Sequence, residues 1–363
     1  MLYKLLSNSM QHDRKVEVIS LSDRGQLGDK IEALGIRVST IGMQSGIPHP
    51  LGIFRLTRLL RQQKPTIIQT WMYHSDLIGG WLGRHILKVP VVWNVRSNIA
   101  PFAKDKRTYL LTKAGAFFSS SIPTRIINCS EAAREAHVNS GYDATKMVTI
   151  PNGFDVSRYR VDRVAYTAVR RELGIDLATP LIGLITRFDR RKDLPNFTRA
   201  AGILLKIMPA VRFLICGNGI SWENTELVAM IEEAGIRNAC YLLGRRDDVP
   251  RLTAALDVAT LSSASEAFPN VLGEAMACGV PCVATDVGDA ALIVGETGII
   301  VPPKDPQALA EAWKKILTMS QEERVSLGLA ARQRVMENFS LDVVVARYEN
   351  LYHEVIAAHS RKN

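Results

Sequence analysis

The chain has 363 residues, of which 47% are hydrophobic and 22% charged, enough for two or three globular domains and too apolar for a disordered chain. No apolar run reaches the ~18–20 residues of a membrane-spanning helix, and the start, MLYKLLSNSM, lacks the basic region and long apolar stretch of a secretory signal. The net charge of +9 is uneven: residues 1–164 hold 23 Lys and Arg against 12 Asp and Glu, a balance of +11, whereas residues 165–363 balance at −2.

In chain order, β-branched runs mark strands at 16–21, 37–41, 66–70, 91–95, 125–129 and 147–150, with helical patterns at 51–61, 75–87 and 131–140 between them. Leu2, Leu5 and Leu6 have helical spacing, so the chain opens inside an amphipathic helix where a doubly wound domain ordinarily opens on a strand. A polar, charge-rich stretch follows Pro151-Asn152-Gly153 to about residue 163 and reads as a linker. The alternation restarts with strands at 181–186, 211–216, 240–243, 258–261 and 281–284 and helices at 194–208, 223–234 and 271–277. Helical patterns at 306–318, 321–337 and 341–358 close the chain. Two such α/β halves imply twin Rossmann-like, doubly wound domains with parallel sheets.

The basic first half suits an anionic partner: a phosphate-bearing substrate or an anionic membrane face. Its charges gather at Lys104, Lys106, Arg107 and Lys113 and at Arg158, Arg160 and Arg163, but no basic run interleaves with aromatics, which argues against nucleic acid. The five cysteines form no Cys-x-x-Cys pair and read as buried thiols in a reducing cytoplasm. His74 and His85 have no metal-ligand company, and Trp71, Tyr73 and Trp93 read as packing residues at strand ends.

Two constellations carry chemistry. In Ser265-Glu266-Ala267-Phe268-Pro269-Asn270-Val271-Leu272-Gly273-Glu274, Asn270 is an N-cap candidate, which leaves the amides of Val271 and Leu272 free for an anion. Glu266 precedes that helix and Glu274 lies about a turn into it, so their carboxylates bracket a ligand whose hydroxyls they accept from. In Arg187-Phe188-Asp189-Arg190-Arg191-Lys192, which follows a strand, Arg187 and Lys192 flank a diphosphate, and Asp193 caps the next helix. Cys216-Gly217-Asn218-Gly219 suits a tight turn against a ligand, but Trp222 leaves the dinucleotide glycine fingerprint incomplete. There is no P-loop, and no two aspartates stand two apart to bridge a metal to a nucleotide sugar.

The Glu266-x7-Glu274 block with Ala-Met-Ala-Cys-Gly-Val-Pro after it, Arg187-x4-Lys192, Ile150-Pro151-Asn152-Gly153-Phe154-Asp155 and Asp286-Val287-Gly288 stand in one order. In that order the chain resembles the nucleotide-sugar glycosyltransferases of family 4, also called group 1. The resemblance implies a GT-B architecture of two Rossmann-like domains facing across a cleft: 1–158, lacking its first strand and joined by the C-terminal helix 341–363, and the donor domain 159–340. It implies that Arg187 and Lys192 hold the donor diphosphate and that Glu266 faces the donor sugar. Glu274 takes the ribose hydroxyls, and Asn270, Val271, Leu272, Phe268, Gly217, Gly219 and Arg245 complete the donor site. His74 and Arg96 are acceptor-side candidates; Arg96 stands where many members carry a histidine, and a guanidinium cannot act as a base.

The implied activity is a retaining, metal-independent transfer from a UDP-sugar to a glycan or lipid-linked acceptor, with no cofactor. The implied setting is cell-surface polysaccharide synthesis in the cytoplasm or on the inner membrane face. The alternatives are a nucleotide-sugar epimerase of the same fold and a donor-binding protein without turnover.

Overall fold

The structure, a computed structural model, describes residues 1–9, 15–43, 49–96 and 106–361. It divides into two compact units, Met1–Gly153 with Leu341–Asn363, and Phe154–Ser340. Lys104 lies outside the described residues.

The first unit runs α1 (Leu2–Ser9), β1 (Glu17–Ser20), α2 (Gly25–Glu32), β2 (Arg37–Thr40), α3 (Pro50–Gln63) and β3 (Ile68–Gln69). It continues through α4 (Tyr73–Trp81), β4 (Val91–Val95), α5 (Lys106–Phe118), β5 (Arg125–Asn128), α6 (Glu131–Asn139) and β6 (Met147–Thr149). The helix expected over 75–87 is two pieces: α4 passes into a π-helical turn, Leu82–Leu87. Its parallel strands form two sheets, β1-β2 and β3-β4-β5-β6. Strand β4 is buried along its whole length, whereas β1 and β3 are half-buried.

The second unit runs α7 (Arg163–Glu172), β7 (Leu181–Ile185), α8 (Leu194–Ile207), β8 (Arg212–Cys216), α9 (Thr225–Glu233), β9 (Cys240–Leu242) and α10 (Val249–Ala254). Then come β10 (Val258–Leu261), α11 (Asn270–Ala277), β11 (Cys282–Thr285), α12 (Ala290–Val294), β12 (Gly298–Val301), α13 (Pro306–Leu317) and α14 (Gln321–Asn338). All six strands are parallel in the order β12-β11-β10-β7-β8-β9, a doubly wound sheet. Strand β12 is not among the strands expected above, although Ile299, Ile300 and Val301 are all β-branched; it stands at the sheet edge with its isoleucines half-buried.

Strand alternation sorts the core. Ile182 and Leu184 face α8 and α13, where Phe197, Phe213 and Trp313 meet with ring centroids 5.3–6.0 Å apart. Each of these rings is fully buried, which stabilises by about 2–3 kcal/mol apiece. Gly183 and Ile185 face the other way, toward Val271, Glu274 and Ala275 of α11.

The last helix, α15 (Leu341–Ser360), returns to the first unit: Val344, Tyr348 and Leu351 pack with Leu5 of α1, Val92 and Ile127. The division of the chain falls after Gly153 rather than after 158. Phe154 is fully buried in the second unit, stacked on Phe268 at 6.1 Å, and its amide donates to Phe339 O at 2.8 Å. The stretch expected as a linker is therefore partly core, with Tyr159 also buried. All five cysteines are buried and outside any disulfide, and no helix among the described residues is long and apolar enough to cross a membrane.

Candidate active site

The second sheet turns at the seam between β7 and β10. The chain runs outward from β7 to β8 and β9 on one side, and from β10 to β11 and β12 on the other. Loops leaving the carboxyl ends of two such neighbours diverge and leave a crevice, where open α/β sheets bind ligands. Both constellations read from the sequence sit on these two loops.

After β7 the loop ends in a 3-10 turn, Arg190–Lys192, and Asp193 then caps α8, its carboxylate accepting from Asn196 N at 3.3 Å. After β10 come Ser262 and Ser263, then Glu266 and α11. The loops are stitched together: Ala264 N donates to Arg191 O at 2.8 Å, and Ser262 Oγ to Lys192 O at 2.9 Å. Lys192 Nζ pairs with Glu266 Oε1, which also accepts from Ser263 Oγ at 2.8 Å. The Ala267 carbonyl is in turn held by Asp289 N at 3.0 Å, from the loop that carries Asp286-Val287-Gly288. Lys192 and Glu266 are three-quarters buried or more, so their charges are weakly screened and mutually neutralised.

Arg187 is exposed and lies 3.1 Å from the Asp189 carboxylate. Hydrogen bonds from Arg191 at 3.1 and 2.9 Å hold that carboxyl well below the usual carboxylate range, with the charges of Arg191 and Arg187 adding to the effect.

At the head of α11 the structure corrects the sequence reading. Pro269 occupies the cap position with φ −75° and offers no side-chain bond, and Asn270 is the first helical residue. Proline's fixed φ and missing N–H fit the helix edge. Leu272 N donates to Pro269 O at 3.2 Å, so this amide is not free; Val271 N–H makes no hydrogen bond among the described residues and remains for an anion. Phe268 is 6% exposed, its ring packed between Phe154 and Phe339. Gly273 lets Phe154 lie against the helix: a Cβ there would stand 2.1 Å from its ring. Glu274 meets Tyr159, whose phenol is pushed up by burial first and by the Glu274 charge next.

The loops after β8 and β9 complete the crevice rim. Gly217 has φ +148°, and a Cβ there would fall 1.6 Å from Thr186 O, so only glycine lets this turn approach the Arg187 loop. Its N–H donates to Gly244 O at 2.8 Å, Phe188 N donates to Asn218 O at 2.8 Å, and Gly219 O accepts from Asn224 Nδ2 at 2.8 Å. Arg245 follows Gly244, exposed and without an ion pair among the described residues. Ser262, Ser263 and Tyr159 escaped the sequence reading; a serine pair just past a strand's carboxyl end was the available signal.

In the first unit, His74 stands half-buried in α4 after β3, and Arg96 directly follows β4, the strand paired with β3. The Arg96 guanidinium donates to Asn94 Oδ1 at 3.2 Å, to Tyr348 OH at 3.1 Å and to Asn152 Oδ1, and lies 5.4 Å from the Trp71 ring. Nearby groups absent from the sequence reading are Asp76 and His137. Asp76 is 2% exposed, accepts from Thr70 Oγ1 at 2.6 Å, and burial raises its pKa well above the usual value. His137 Nδ1 donates to Ala133 O at 2.6 Å, so Nε2 accepts from Tyr73 OH at 2.9 Å; burial lowers its pKa to about 4.

Solved structures share this architecture. The chain matches Anabaena HepE in complex with UDP and glucose at a TM-score of 0.81 and 22% identity, covering 96% of this chain and 95% of that one. It matches sucrose-phosphate synthase from Thermosynechococcus elongatus at 0.79 and 21%, covering 98% and 92%. The fold is thus that of the GT-B glycosyltransferases.

Residues 2–158 match the model of Glycosyltransferase Family 4, and residues 179–319 that of Glycosyl transferases group 1. With one match in each unit, the chain belongs to this family of glycosyltransferases. Among curated relatives, a D-inositol 3-phosphate glycosyltransferase of Corynebacterium urealyticum is 34% identical over 214 residues, 55% of this chain and 50% of that protein. An N-acetyl-alpha-D-glucosaminyl L-malate synthase of Bacillus anthracis is 30% identical over 52% of this chain and 49% of its own length. A UDP-Gal:alpha-D-GlcNAc-diphosphoundecaprenol alpha-1,3-galactosyltransferase of Escherichia coli is 24% identical over 84% and 79%. The chain spans about half the length of the first two of these relatives.

Proposed function

We propose that this chain transfers a sugar from a nucleotide diphosphate sugar, UDP-linked, to a hydroxyl of a glycan or lipid-linked acceptor, with retention at the anomeric carbon and without a metal ion. The observation that carries the reading is the Lys192–Glu266 pair at the β7/β10 seam, beside the open Val271 amide at the head of α11. Arg187, Lys192 and that amide take the diphosphate, so the positive charge that stabilises the departing phosphate comes from the protein. Glu274 accepts the ribose hydroxyls and Arg245 lies beside the base. Glu266, fixed by Lys192 and Ser263, orients the donor sugar. The leaving phosphate takes the acceptor proton on the same face of the sugar. His74 and Arg96, at the carboxyl ends of β3 and β4, are assigned to the acceptor.

UDP is favoured because the solved complexes of the similar Anabaena protein hold UDP or UDP-glucose. The curated relatives' names carry inositol 3-phosphate, L-malate and, with a UDP-Gal donor, a diphosphoundecaprenol-linked sugar, so the acceptor is proposed only as a hydroxyl-bearing glycan or lipid-linked glycan.

Thermal unfolding with UDP, GDP, ADP and no ligand tests the donor site. A ligand at about 100 times its Kd stabilises by about 2.7 kcal/mol. A UDP-selective shift that disappears in Arg187→Ala is expected; equal shifts with all three nucleotides, or none, overturn the reading. UDP release with UDP-sugars and acceptor glycans, unaffected by EDTA, tests transfer and the absence of a metal requirement.

A further inference from the structure

We propose that the second unit carries a separate binding site for a phosphate monoester, on the α8–α13 side of its sheet. The site shares no side chain with the crevice formed by Arg187, Lys192, Glu266 and Glu274. A cavity of about 380 Å³ opens there, within the size range of small-molecule sites. Four cations line it, Arg190, Arg191, Arg199 and Lys304, against one acid, Asp193. Asp193 spends its carboxylate on capping α8, and Arg191 is held by Asp189. The side chains of Arg190, Arg199 and Lys304 make no hydrogen bond or ion pair to any described residue. Three unneutralised cations around one cavity favour a multiply charged anion.

The second observation is Asn196. It is 3% exposed and lines the cavity, yet neither its Oδ1 nor its Nδ2 has a hydrogen-bond partner. Leaving a buried amide unpaired costs about 1–3 kcal/mol, so a native core rarely keeps one without a use for it. Its Nδ2 donates to a phosphate oxygen, and its Oδ1 accepts from a hydroxyl on the same ligand. That pairing selects a phosphate monoester carrying a hydroxyl group over a bare anion. The first turns of α8 and α13 meet at the same place, with Pro306 on the lining, and their positive ends add to the field. Such a phosphate is supplied either by a free polyol or sugar phosphate or by a phosphorylated lipid headgroup.

Isothermal titration with glycerol phosphate, and co-sedimentation with phosphatidylcholine vesicles with and without phosphatidylinositol 4-phosphate, whose headgroup carries a phosphate monoester beside free hydroxyls, test this. Glycerol phosphate is expected to bind the parent and Arg187→Ala alike, and about tenfold or more weakly to Arg199→Glu and Lys304→Glu. Asn196→Leu should lose the same binding. The two charge reversals are at exposed positions, so they decide the matter even if Asn196→Leu does not fold. Retention that depends on phosphatidylinositol 4-phosphate and is lost in Arg199→Glu, without glycerol phosphate binding, assigns the lipid source. Absence of both in the parent overturns the site. So does binding that vanishes in Arg187→Ala and survives both reversals, since it then belongs to the crevice. Failure of UDP to bind, with glycerol phosphate binding intact, would leave this site standing and remove only the donor assignment.

Discussion

Lys192 Nζ and Glu266 Oε1, 74 residues apart in the chain, meet across the seam between β7 and β10 and neutralise each other inside the crevice. Neither loop could hold its charge there alone, because a three-quarters-buried lysine or glutamate without a partner is costly. The pair couples cation and carboxylate into one rigid element, which is what positioning a donor requires.

Lys192→Ala is expected to lower kcat roughly 100-fold, the usual cost of removing one charge-stabilising group. Glu266→Ala should cut turnover comparably while leaving the UDP Kd within about threefold. Glu274→Ala should instead weaken UDP binding about tenfold, or about 1.4 kcal/mol. UDP release and calorimetry on the three variants separate these effects, and parental values in all of them would dissolve the site assignment.

Gly217→Ala places a Cβ on Thr186 O at a backbone angle only glycine adopts easily. We expect a loss of about 2 kcal/mol or more in urea unfolding, with UDP binding impaired because the Arg187 loop must move. Gly35→Ala, also at positive φ but with no atom within 4 Å, should cost less.

Arg170 is fully buried, with Nη2 on Asp257 Oδ2 at 2.6 Å and Nη1 on Thr179 O at 2.6 Å; Asp257 also accepts from Leu181 N at 2.7 Å. This network ties α7 to the start of β7 and to β10. Asp257→Ala should destabilise the second unit by about 3–5 kcal/mol, since it strands a buried guanidinium. A chemical denaturation loss under about 1 kcal/mol would show that water reaches the site.

His137 gives a pH dependence of defined sign. Its folded pKa is about 4, below the ordinary ~6.5, so the unfolded chain binds more protons between these values. Its contribution is therefore present above about pH 6.5 and lost as pH falls toward 4, roughly 3 kcal/mol across the window. Burial pushes the neighbouring Asp76 in the opposite direction, raising its pKa, so it favours the fold as pH falls. The measurement is the difference in unfolding free energy between parent and His137→Gln across pH 4–7; a flat difference would mean the imidazole is protonated inside the fold.

Much of the architecture was legible in the sequence because it rests on local patterns. β-branched runs, helical spacing and turn residues act within a few positions, so eleven of the twelve strands among the described residues were read along the chain. The Glu266-x7-Glu274 spacing likewise fixed which loop and helix carry the carboxylates. The head of α11 was misread because Pro269 and Asn270 both suit a helix edge locally, and the backbone path of the loop chose between them. The packing of the Phe268 ring between Phe154 and Phe339 was not legible either, because those two residues lie far from it in the chain.

The sequence by itself thus determined the succession of elements, the two α/β halves and the candidate charges at strand ends, all of which depend on neighbours in the chain. Only the tertiary structure decided which charges meet. The order β12-β11-β10-β7-β8-β9 places β10 beside β7, bringing Glu266 to Lys192 and Asp257 to Arg170, and the packing of α13 on α8 sets Lys304 beside the unpaired Asn196. Those contacts join residues far apart in the chain, and strand order, which no local pattern encodes, is what brings them together.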